Sequence, residues 1–415
     1  MNLSLLYIDP GTGSALFSIL IGAAATLYFV GRALILKLKV VFSGGKTQII
    51  NMHPYVIYCE GKQYWNVFKP VMEEFEKRET EIHYLTSSQD DPVFDQSWRY
   101  VKAEFIGEGN RAFARLNLLK AQICLMTTPG LQVYQLKRSK TVKHYSHVLH
   151  SPADTTTYRL FGLDYFDSVL LTGNYQADDI RLLEKQRGLP EKQLVTVGCS
   201  YLDVYAQKIK QIEKEINHPF TVLVSPSWGT SALLTRYGEK LLDPLRDAAL
   251  GTAQNDSGWR IIIRPHPQSK KSEAAMLERL QTRYKGCGNI EWDYERENIY
   301  SLNKADIMIS DFSGIIFDYI FLRDKPVLYV NHDFDKRPYD AGDIEHELWQ
   351  FEVIKEMGIE LKENDFPQIT EIIKNAVNSE SLALARKKAR EDAWQYQGDA
   401  GKQIFNFMTG IVNGN

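Results

Sequence analysis

Arg264 and His266 stand at the end of a predicted strand, where side chains can reach a ligand. They follow the apolar run Ile261-Ile262-Ile263, and Pro265 and Pro267 restrict the backbone on either side of His266. A guanidinium fork and an imidazole that can carry a proton are the groups that a diphosphate needs. The pattern indicates a ligand-binding turn, and the alternative is a structural turn with a surface histidine.

His150 ends another predicted strand, in a segment that also contains His144 and His147. Intervals of three residues place these histidines on no common face of a helix or strand, which argues against a metal triad. His150, directly before Ser151 and Pro152, is the candidate base that removes a proton from an acceptor hydroxyl. The alternative is a polar loop histidine. We predict no metal site and no cofactor, and leave a divalent-metal requirement open.

Two turns rich in hydroxyl groups follow predicted strands of the second half of the chain. Ser225 and Ser227 follow the strand at 220–224, in the first turn of a doubly wound unit, where phosphates often bind. Ser310 and Ser313 precede an apolar helix whose N-terminus would attract an anion. These serines are candidate donor-binding residues, and plain turns or helix N-caps are the alternatives.

Asp311 and Asp318 lie beside the second of these turns. A carboxylate repels phosphate, so either residue would instead orient Arg264 or hold a ribose hydroxyl. Asp333-Phe334-Asp335 resembles the DxD element with which some nucleotide-sugar enzymes bind a divalent metal. We interpret it as an ordinary charged loop.

Short β-branched or aromatic runs alternate with helical patterns from residue 55 onward, which predicts βα units and parallel sheets. In the first half we predict strands at 55–59, 82–86, 121–126, 144–150, 168–172 and 194–197, and helices at 65–78, 110–119, 176–187 and 202–216. In the second half we predict strands at 220–224, 259–264, 289–292, 306–310 and 327–330, and helices at 239–250, 270–284 and 313–322.

Asn217-His218-Pro219 ends a charged helix just before a new strand, and we place a domain boundary there. The expected fold class is α/β, with two Rossmann-like domains facing each other across a cleft. The first (46–217) would bind the acceptor and the second (218–365) the nucleotide donor. A helical tail (366–415) would pack on either of them.

Pro10–Gly31 contains no charged residue, and a helix of that length reaches about 33 Å, against ~30 Å for a hydrocarbon core. A signal peptide would need a basic start, which Met1–Asp9 lacks, and a core helix would show a polar face. We expect one transmembrane helix within a membrane anchor and stub at 1–45. Because Arg32 and Lys37 follow the apolar run, the body would face the cytoplasm.

Composition excludes several other classes. The 415 residues are enough for sizeable cores, and a net charge of −3 provides no overall attraction to nucleic acid. Four cysteines at least 65 residues apart indicate buried, reduced thiols rather than a zinc site or a disulfide framework. The sequence contains neither GxGxxG nor GxxxxGK[ST], which argues against a dinucleotide fingerprint and a P-loop.

The second half resembles the CDP-glycerol glycerophosphotransferase family of teichoic-acid primases and polymerases. The resemblance covers about residues 140 to 335 and is carried by these motifs: SPSWG at 225–229, IIIRPHP at 261–267, SDFSGIIFDY at 310–319, KPVLYV at 325–330, LLTGNYQADDI at 170–180 and VTVGCSYLD at 195–203.

This resemblance implies a GT-B type fold, a CDP-alditol donor in the C-terminal domain and release of CMP. It also implies two functional histidines, His150 as the base and His266 near the donor pyrophosphate, and a donor-phosphate turn at Ser310, Asp311 and Ser313. We therefore expect a membrane-anchored transferase of the inner (cytoplasmic) membrane that moves an alditol phosphate to a lipid-linked or glycan hydroxyl.

Two alternatives stay open. One is a GT-B glycosyltransferase that uses a nucleotide sugar for surface polysaccharide, since fold does not determine function. The other is a non-catalytic nucleotide-binding membrane scaffold, which Ser151 and Gly229 keep open because the family usually has glycine and arginine at these positions.

Overall fold

A computed structural model describes residues 52–212, 218–251, 258–295, 297–330 and 334–414 of this chain. The predicted transmembrane helix at Pro10–Gly31 and the rest of the 1–45 anchor lie outside the described residues. Within the described ranges, no helix has the length and apolar character needed to cross a bilayer. Residues Met52–Asn415 form one compact unit.

The first sheet is formed by the first half of the chain. Its strands are β1 (His53–Cys59), β2 (Ile82–Thr86), β3 (Val101–Phe105), β4 (Lys120–Met126), β5 (Thr141–Val148), β6 (Ser168–Leu171) and β7 (Gln193–Thr196). All pairs are parallel, in the order β3-β2-β1-β4-β5-β6-β7. Apolar side chains cover both faces of the central strands, which is typical of parallel sheets.

The second sheet is formed by the second half of the chain. Its strands are β8 (Thr221–Val224), β9 (Arg260–Ile263), β10 (Ile290–Trp292), β11 (Ile307–Ser310), β12 (Val327–Tyr329) and β13 (Gly358–Glu360). They are parallel, in the order β10-β9-β8-β11-β12-β13. This is the doubly wound strand order, in which ligands bind at the carboxyl ends of the central strands.

Helices connect the strands and cover both sheets. The α-helices are α1 (Trp65–Lys77), α2 (Asn110–Leu116), α3 (Ala177–Arg187), α4 (Ser200–Gln211), α5 (Leu233–Gly251), α6 (Ser269–Ser272), α7 (Ala274–Arg283), α8 (Ile299–Lys304), α9 (Ile315–Arg323), α10 (Trp349–Met357), α11 (Ile369–Asn378), α12 (Glu380–Ala393) and α13 (Ala400–Asn413). Short 3₁₀ helices lie at Lys62–Tyr64, Pro92–Asp95, Thr155–Thr157, Asn174–Gln176, Asp340–Asp343 and Glu363–Gln368.

Alternation along each central strand builds an apolar layer on both sides of the sheet. In β1, Ile57 packs in one layer with Phe68 and Phe75 of α1, while Val56 and Tyr58 face the other. In β8, Val222 and Val224 face one layer and Leu223 the opposite one. The predicted α/β class with two parallel sheets is therefore confirmed for the described residues.

The helices after residue 366 pack on both sheets rather than on one. Phe366 and Ile373 belong to a core layer of the second sheet, whereas Ile404 and Met408 of α13 complete the layer between α1 and the first sheet. The chain therefore returns to the first sheet at its end, and the expected tail is divided between the two.

Candidate active site

Three neighbouring strands of the second sheet end at one edge and place their turns side by side. Val224 of β8 pairs with Ile263 of β9 and with Ile309 of β11, so the three turns begin at the same level. The cavity above them, of about 300 Å³, is lined by several residues that include Ser225, Arg264, His266 and Ser313. The parallel sheet thus brings together four of the residues that the sequence singled out. We call this space the RPHP cavity.

Arg264 is almost fully buried at the floor of the RPHP cavity, with 8% of its surface exposed. Its Nη1 donates to Asp293 Oδ2 at 2.5 Å and its Nη2 to the backbone oxygen of Glu295 at 2.7 Å. Burial alone would raise the pKa of Asp293, but hydrogen bonds from Ser301, Glu295 and Arg264 lower it. The guanidinium is therefore held in one orientation beside a carboxylate that stays ionised.

Asp293 has the orienting role that the sequence analysis considered for Asp311. It lies on the loop after β10, 29 positions from Arg264, and no local motif marks it. None of the hydrogen bonds described for Asp311 goes to Arg264. The expectation that Asp311 orients Arg264 is therefore wrong. Asp293 is a residue of the site that sequence reasoning missed.

Asp311 instead organises the turn after β8. Its Oδ1 accepts the backbone N–H of Ser227 and its Oδ2 that of Leu233, both at 2.8 Å. Only 5% of Asp311 is exposed, and this burial raises the pKa of the carboxyl even though the two N–H groups act in the opposite direction. Both oxygens are engaged in shaping the turn that carries Ser225.

Ser310 is also engaged with that turn. Its hydroxyl donates to the backbone oxygen of Ser225 at 2.5 Å, and its side chain is fully buried. Ser313 lies three residues after Ser310, next to the N-terminus of α9, and lines the RPHP cavity. Of the predicted hydroxyl ligands, Ser225 and Ser313 reach the cavity, whereas Ser227 and Ser310 support its wall.

His266 is the histidine that lines the RPHP cavity. Its Nδ1 accepts the backbone N–H of Gln268 at 3.1 Å, so the proton of the neutral ring is on Nε2. The exposed ring of Trp228 stacks beside it, with ring centres 6.2 Å apart. Partial burial lowers the pKa of His266, with Glu273 acting against this. The neutral ring therefore offers the N–H on Nε2 as a hydrogen-bond donor to a ligand in the cavity. When the ring is protonated, it can also act as an acid.

Gly229 has a conformational reason to be glycine. Its φ of 102° lies in the region that L side chains rarely adopt, and its N–H donates to Glu273 Oε1 at 2.6 Å. The arginine that the family often has after the tryptophan would therefore be strained here.

Asp318 lines neither the RPHP cavity nor the second cavity described below. Its Oδ2 accepts the hydroxyl of Tyr201 at 3.1 Å, which links α9 to α4. Burial raises the pKa of Asp318 to about 7. The structure thus places this predicted donor-binding residue in a contact between two helices.

His150 lies in the loop after β5, on the first sheet. Its Nδ1 is 2.8 Å from Thr127 Oγ1 and 3.4 Å from the Tyr158 hydroxyl. Burial lowers the pKa of His150 to about 4, so the ring is neutral at pH 7. When Nδ1 carries the proton and donates to Thr127, Nε2 offers a lone pair, as a general base requires.

The three clustered histidines do not converge on one point, although two of them share Tyr158 as a partner. His144 Nε2 is 2.9 Å from Ser168 Oγ, and His147, fully buried, lies 3.2 Å from the Tyr158 hydroxyl that also approaches His150. Among the described residues, no group of three or more His, Cys, Asp or Glu side chains could hold a metal ion. Asp335 of the DxD-like element binds Arg337, and Asp333 lies outside the described residues.

A second cavity, of about 260 Å³, lies on the other side of Ser313 and was not anticipated from the sequence. Its lining combines aromatic, charged and polar side chains, among them the predicted site residue Asp311: Asp311, Phe312, Ser313, Phe317, Tyr329, Phe334, Lys336, Glu347, Gln350, Phe351 and Lys355. Lys336 pairs with Glu347 at 3.4 Å. We call this space the α10 cavity, because α10 forms one of its walls.

A family profile matches the second half of the chain and the last part of the first half. The profile of the family described as CDP-Glycerol:Poly(glycerophosphate) glycerophosphotransferase matches residues 176–406, which include the whole second sheet. No curated protein matches the chain in sequence.

Several solved structures share the fold. The wall teichoic acid polymerase TagF aligns at a TM-score of 0.54 and 15% identity, over 94% of this chain and 97% of that chain. A TagF variant with CDPG gives 0.55 and 13% over the same shares. A putative UDP-N-acetylglucosamine 2-epimerase from Listeria monocytogenes gives 0.58 and 14%, over 88% and 98%. These identities establish the fold, and the chemistry of the site has to establish the activity.

Proposed function

The chain belongs to the CDP-glycerol:poly(glycerophosphate) glycerophosphotransferase family, and from that premise we propose that it transfers glycerol phosphate, or a related alditol phosphate, from a CDP donor to a lipid-linked or glycan hydroxyl. CMP is the leaving group. The observation that carries the proposal is the convergence of Arg264, His266 and Ser313 on one cavity. A cation, an N–H donor and a hydroxyl beside a helix N-terminus together suit a diphosphate.

The donor diphosphate lies in the RPHP cavity in this proposal. Arg264 is held by Asp293 and Glu295 before any ligand binds. Binding of the phosphates therefore costs no further loss of conformational entropy in this side chain. The N–H on Nε2 of His266 and the hydroxyl of Ser313 would bind the remaining phosphate oxygens. Ser225 and the α9 N-terminus complete a cradle of donors at the sheet edge.

The acceptor occupies the α10 cavity, on the other side of Ser313. The loop that contains His150 contacts this side, because Asp154 accepts the backbone N–H of Gln350 at 2.7 Å. His150 Nε2 takes the proton of the acceptor hydroxyl while that oxygen bonds to the phosphorus that carries the alditol. The bond from this phosphorus to the bridging oxygen breaks, and CMP leaves with the electron pair.

Charge on the leaving CMP is stabilised by the residues of the RPHP cavity. Arg264 supplies a fixed positive charge, and His266 supplies a hydrogen bond that strengthens as the bridging oxygen becomes negative. No step in this scheme requires a carboxylate, which agrees with the structural engagement of both Asp311 oxygens.

A membrane supplies the acceptor in this proposal. The uncharged run Pro10–Gly31 has the length of a single bilayer span, and the basic residues Arg32 and Lys37 follow it. This pattern supports a single-pass protein of the inner (cytoplasmic) membrane whose two-sheet body faces the cytoplasm. The partners are then the membrane, the donor and the acceptor.

A second candidate function is sugar transfer from a nucleotide sugar, because one neighbour with this fold, an epimerase rather than a transferase, is named for a nucleotide-sugar substrate, UDP-N-acetylglucosamine. The two reactions differ in their products. Alditol phosphate transfer puts phosphorus into the product and releases CMP, whereas sugar transfer usually releases a nucleoside diphosphate.

The test uses the full chain in detergent with crude membrane lipid as the source of acceptor. CDP-glycerol, CDP-ribitol, UDP-sugars and CMP-sugars are supplied separately, and nucleotide release is followed. CMP release from a CDP-alditol supports the proposal. Release from a sugar nucleotide alone supports glycosyl transfer, and nucleotide binding without any release supports the scaffold alternative.

A further inference from the structure

Asp154 belongs to the half of the chain that forms the first sheet, and its carboxylate caps α10, a helix of the half that forms the second sheet. Asp154 follows His150 by four positions in the loop after β5. Its Oδ1 accepts the backbone N–H of Trp349 at 3.2 Å and its Oδ2 that of Gln350 at 2.7 Å. These are the first two residues of α10, whose N–H groups have no partner within the helix. A residue about 195 positions away therefore provides the cap.

The contact is reciprocal and lies at a substrate cavity. The backbone N–H of Asp154 donates to Gln350 Oε1 at 3.3 Å, and Gln350 lines the α10 cavity. Next to it, the ring of Trp349 packs 4.1 Å from Tyr175 and 5.6 Å from Phe317, measured between ring centres. The loop and the cavity wall are thus joined by polar and aromatic contacts at one place.

The same loop is tied to the first half as well. Tyr175 donates its hydroxyl to the backbone oxygen of Pro152, and Gln176 Nε2 donates to that of Ala153 at 3.0 Å. His150 is held further back by Thr127. Hydrogen bonds therefore hold the loop from His150 to Asp154 at several points on the first half, and Asp154 attaches it to α10.

Asp154 is a costly residue for a merely structural contact. It is only 6% exposed, both of its oxygens receive backbone N–H groups, and a buried carboxylate loses its hydration. The positive end of the α10 dipole offsets part of that cost. A neutral asparagine has a single oxygen acceptor in place of the two that Asp154 offers, so it could not hold both N–H groups in the same geometry.

We propose that Asp154 is a positioning residue that fixes the separation between the base His150 and the α10 cavity. This rests on the proposed function, in which His150 accepts the proton of an acceptor bound in that cavity. Asp154 touches no reacting atom. It acts by keeping the loop of one half in register with the helix of the other, and a displacement of about 1 Å of a catalytic group can reduce the rate a hundredfold.

The test measures single-turnover CMP release from CDP-glycerol with crude membrane lipid, in four forms of the full chain: the wild type, Asp154→Asn, His150→Gln and the double variant. We expect D154N to lower the rate constant at least tenfold in the wild-type background and less than twofold in the H150Q background, since a misplaced base matters only when the base is present. The KM for CDP-glycerol should change less than threefold.

Two further variants make the result interpretable. Asp178→Asn removes an exposed carboxylate from the first turn of α3 and should leave the rate unchanged. Asp154→Glu retains the charge, so its rate should exceed that of D154N. If thermal unfolding shows that D154N is not folded, Asp154→Glu replaces it as the test variant.

The outcomes separate the two ideas. A wild type that releases no CMP from a CDP-alditol contradicts the proposed function. An active wild type overturns the positioning role if D154N has a normal rate constant, or if it loses the same factor in both backgrounds.

Discussion

The carboxylate of Asp311 holds the backbone N–H of Ser227 at 2.8 Å, and so joins the turn after β11 to the turn after β8. Its other oxygen holds Leu233 at the same distance. The turn that presents Ser225 to the RPHP cavity is therefore shaped before any ligand arrives. This engagement explains how an aspartate can lie beside the proposed phosphate site, because its charge is directed at backbone N–H groups of the protein.

Replacing Asp311 should destabilise the second sheet. Asp311→Ala leaves two buried N–H groups without partners and should cost about 3 kcal/mol, because hydrogen bonds to charged groups contribute more than neutral ones. Asp311→Asn keeps one acceptor and should lose less. The midpoint of thermal unfolding of the full chain measures both, and an unchanged midpoint for the alanine variant would contradict the role assigned to this carboxylate.

His266 should be required for turnover and dispensable for folding. Its Nδ1 contact with Gln268 is local and its ring is partly exposed, so His266→Ala should abolish CMP release from CDP-glycerol without shifting the thermal midpoint. His83→Ala is the matched control, since His83 is a partly exposed histidine of the first sheet that binds Glu81. A near-normal rate in H266A would remove His266 from the mechanism.

The pH dependence of kcat/KM should show an acidic limb well below the usual histidine range. A general base must be deprotonated, so activity is lost as pH falls through the pKa of His150, which burial lowers to about 4. We expect a flat profile between about pH 6 and 8 from this group. Burial raises the pKa of Asp154 to about 6 and that of Asp318 to about 7, so each would add a separate step, and the profiles of Asp154→Asn and Asp318→Asn identify these steps. An acidic limb near pH 6.5 that persists in both variants would contradict the buried, neutral state of His150.

Arg264 should not be replaceable by lysine. The guanidinium donates through two nitrogens to Asp293 and Glu295 and presents the rest of the fork to the cavity, whereas a lysine is a single flexible charge. Arg264→Lys should raise the KM for CDP-glycerol tenfold or more. Asp293→Asn should have a smaller effect in the same direction, because the guanidinium remains but loses its charged partner. Equal KM values in R264K and the wild type would be inconsistent with a diphosphate at this position.

Much of the fold follows from local patterns. The apolar runs at β1, β8, β9 and β11 are buried on both faces, and parallel sheets place the ends of such strands at one edge. The convergence of Ser225, Arg264 and His266 could therefore be predicted. The edge strand β3 was missed because its sequence VKAEF exposes most of its side chains.

The remainder of the site depends on contacts between distant segments. Asp293 and Arg264 come from different strand ends, and Asp154 contacts α10 although 196 positions separate it from Gln350. Each partner is an ordinary aspartate in its own neighbourhood, without a motif. Its role is determined by which backbone groups the folded chain brings near it, and this information is absent from the spacing of residues.

The last helix has a consequence for how the protein is made. Phe405 of α13 packs 4.7 Å, between ring centres, from Phe75 of α1, so the first βα units remain without part of their core until α13 has been synthesised. Domains usually fold as units from the N-terminus during translation. Here the first half keeps an apolar groove open during that time, and we expect deletion of α13 to destabilise the first sheet although α13 lines neither cavity.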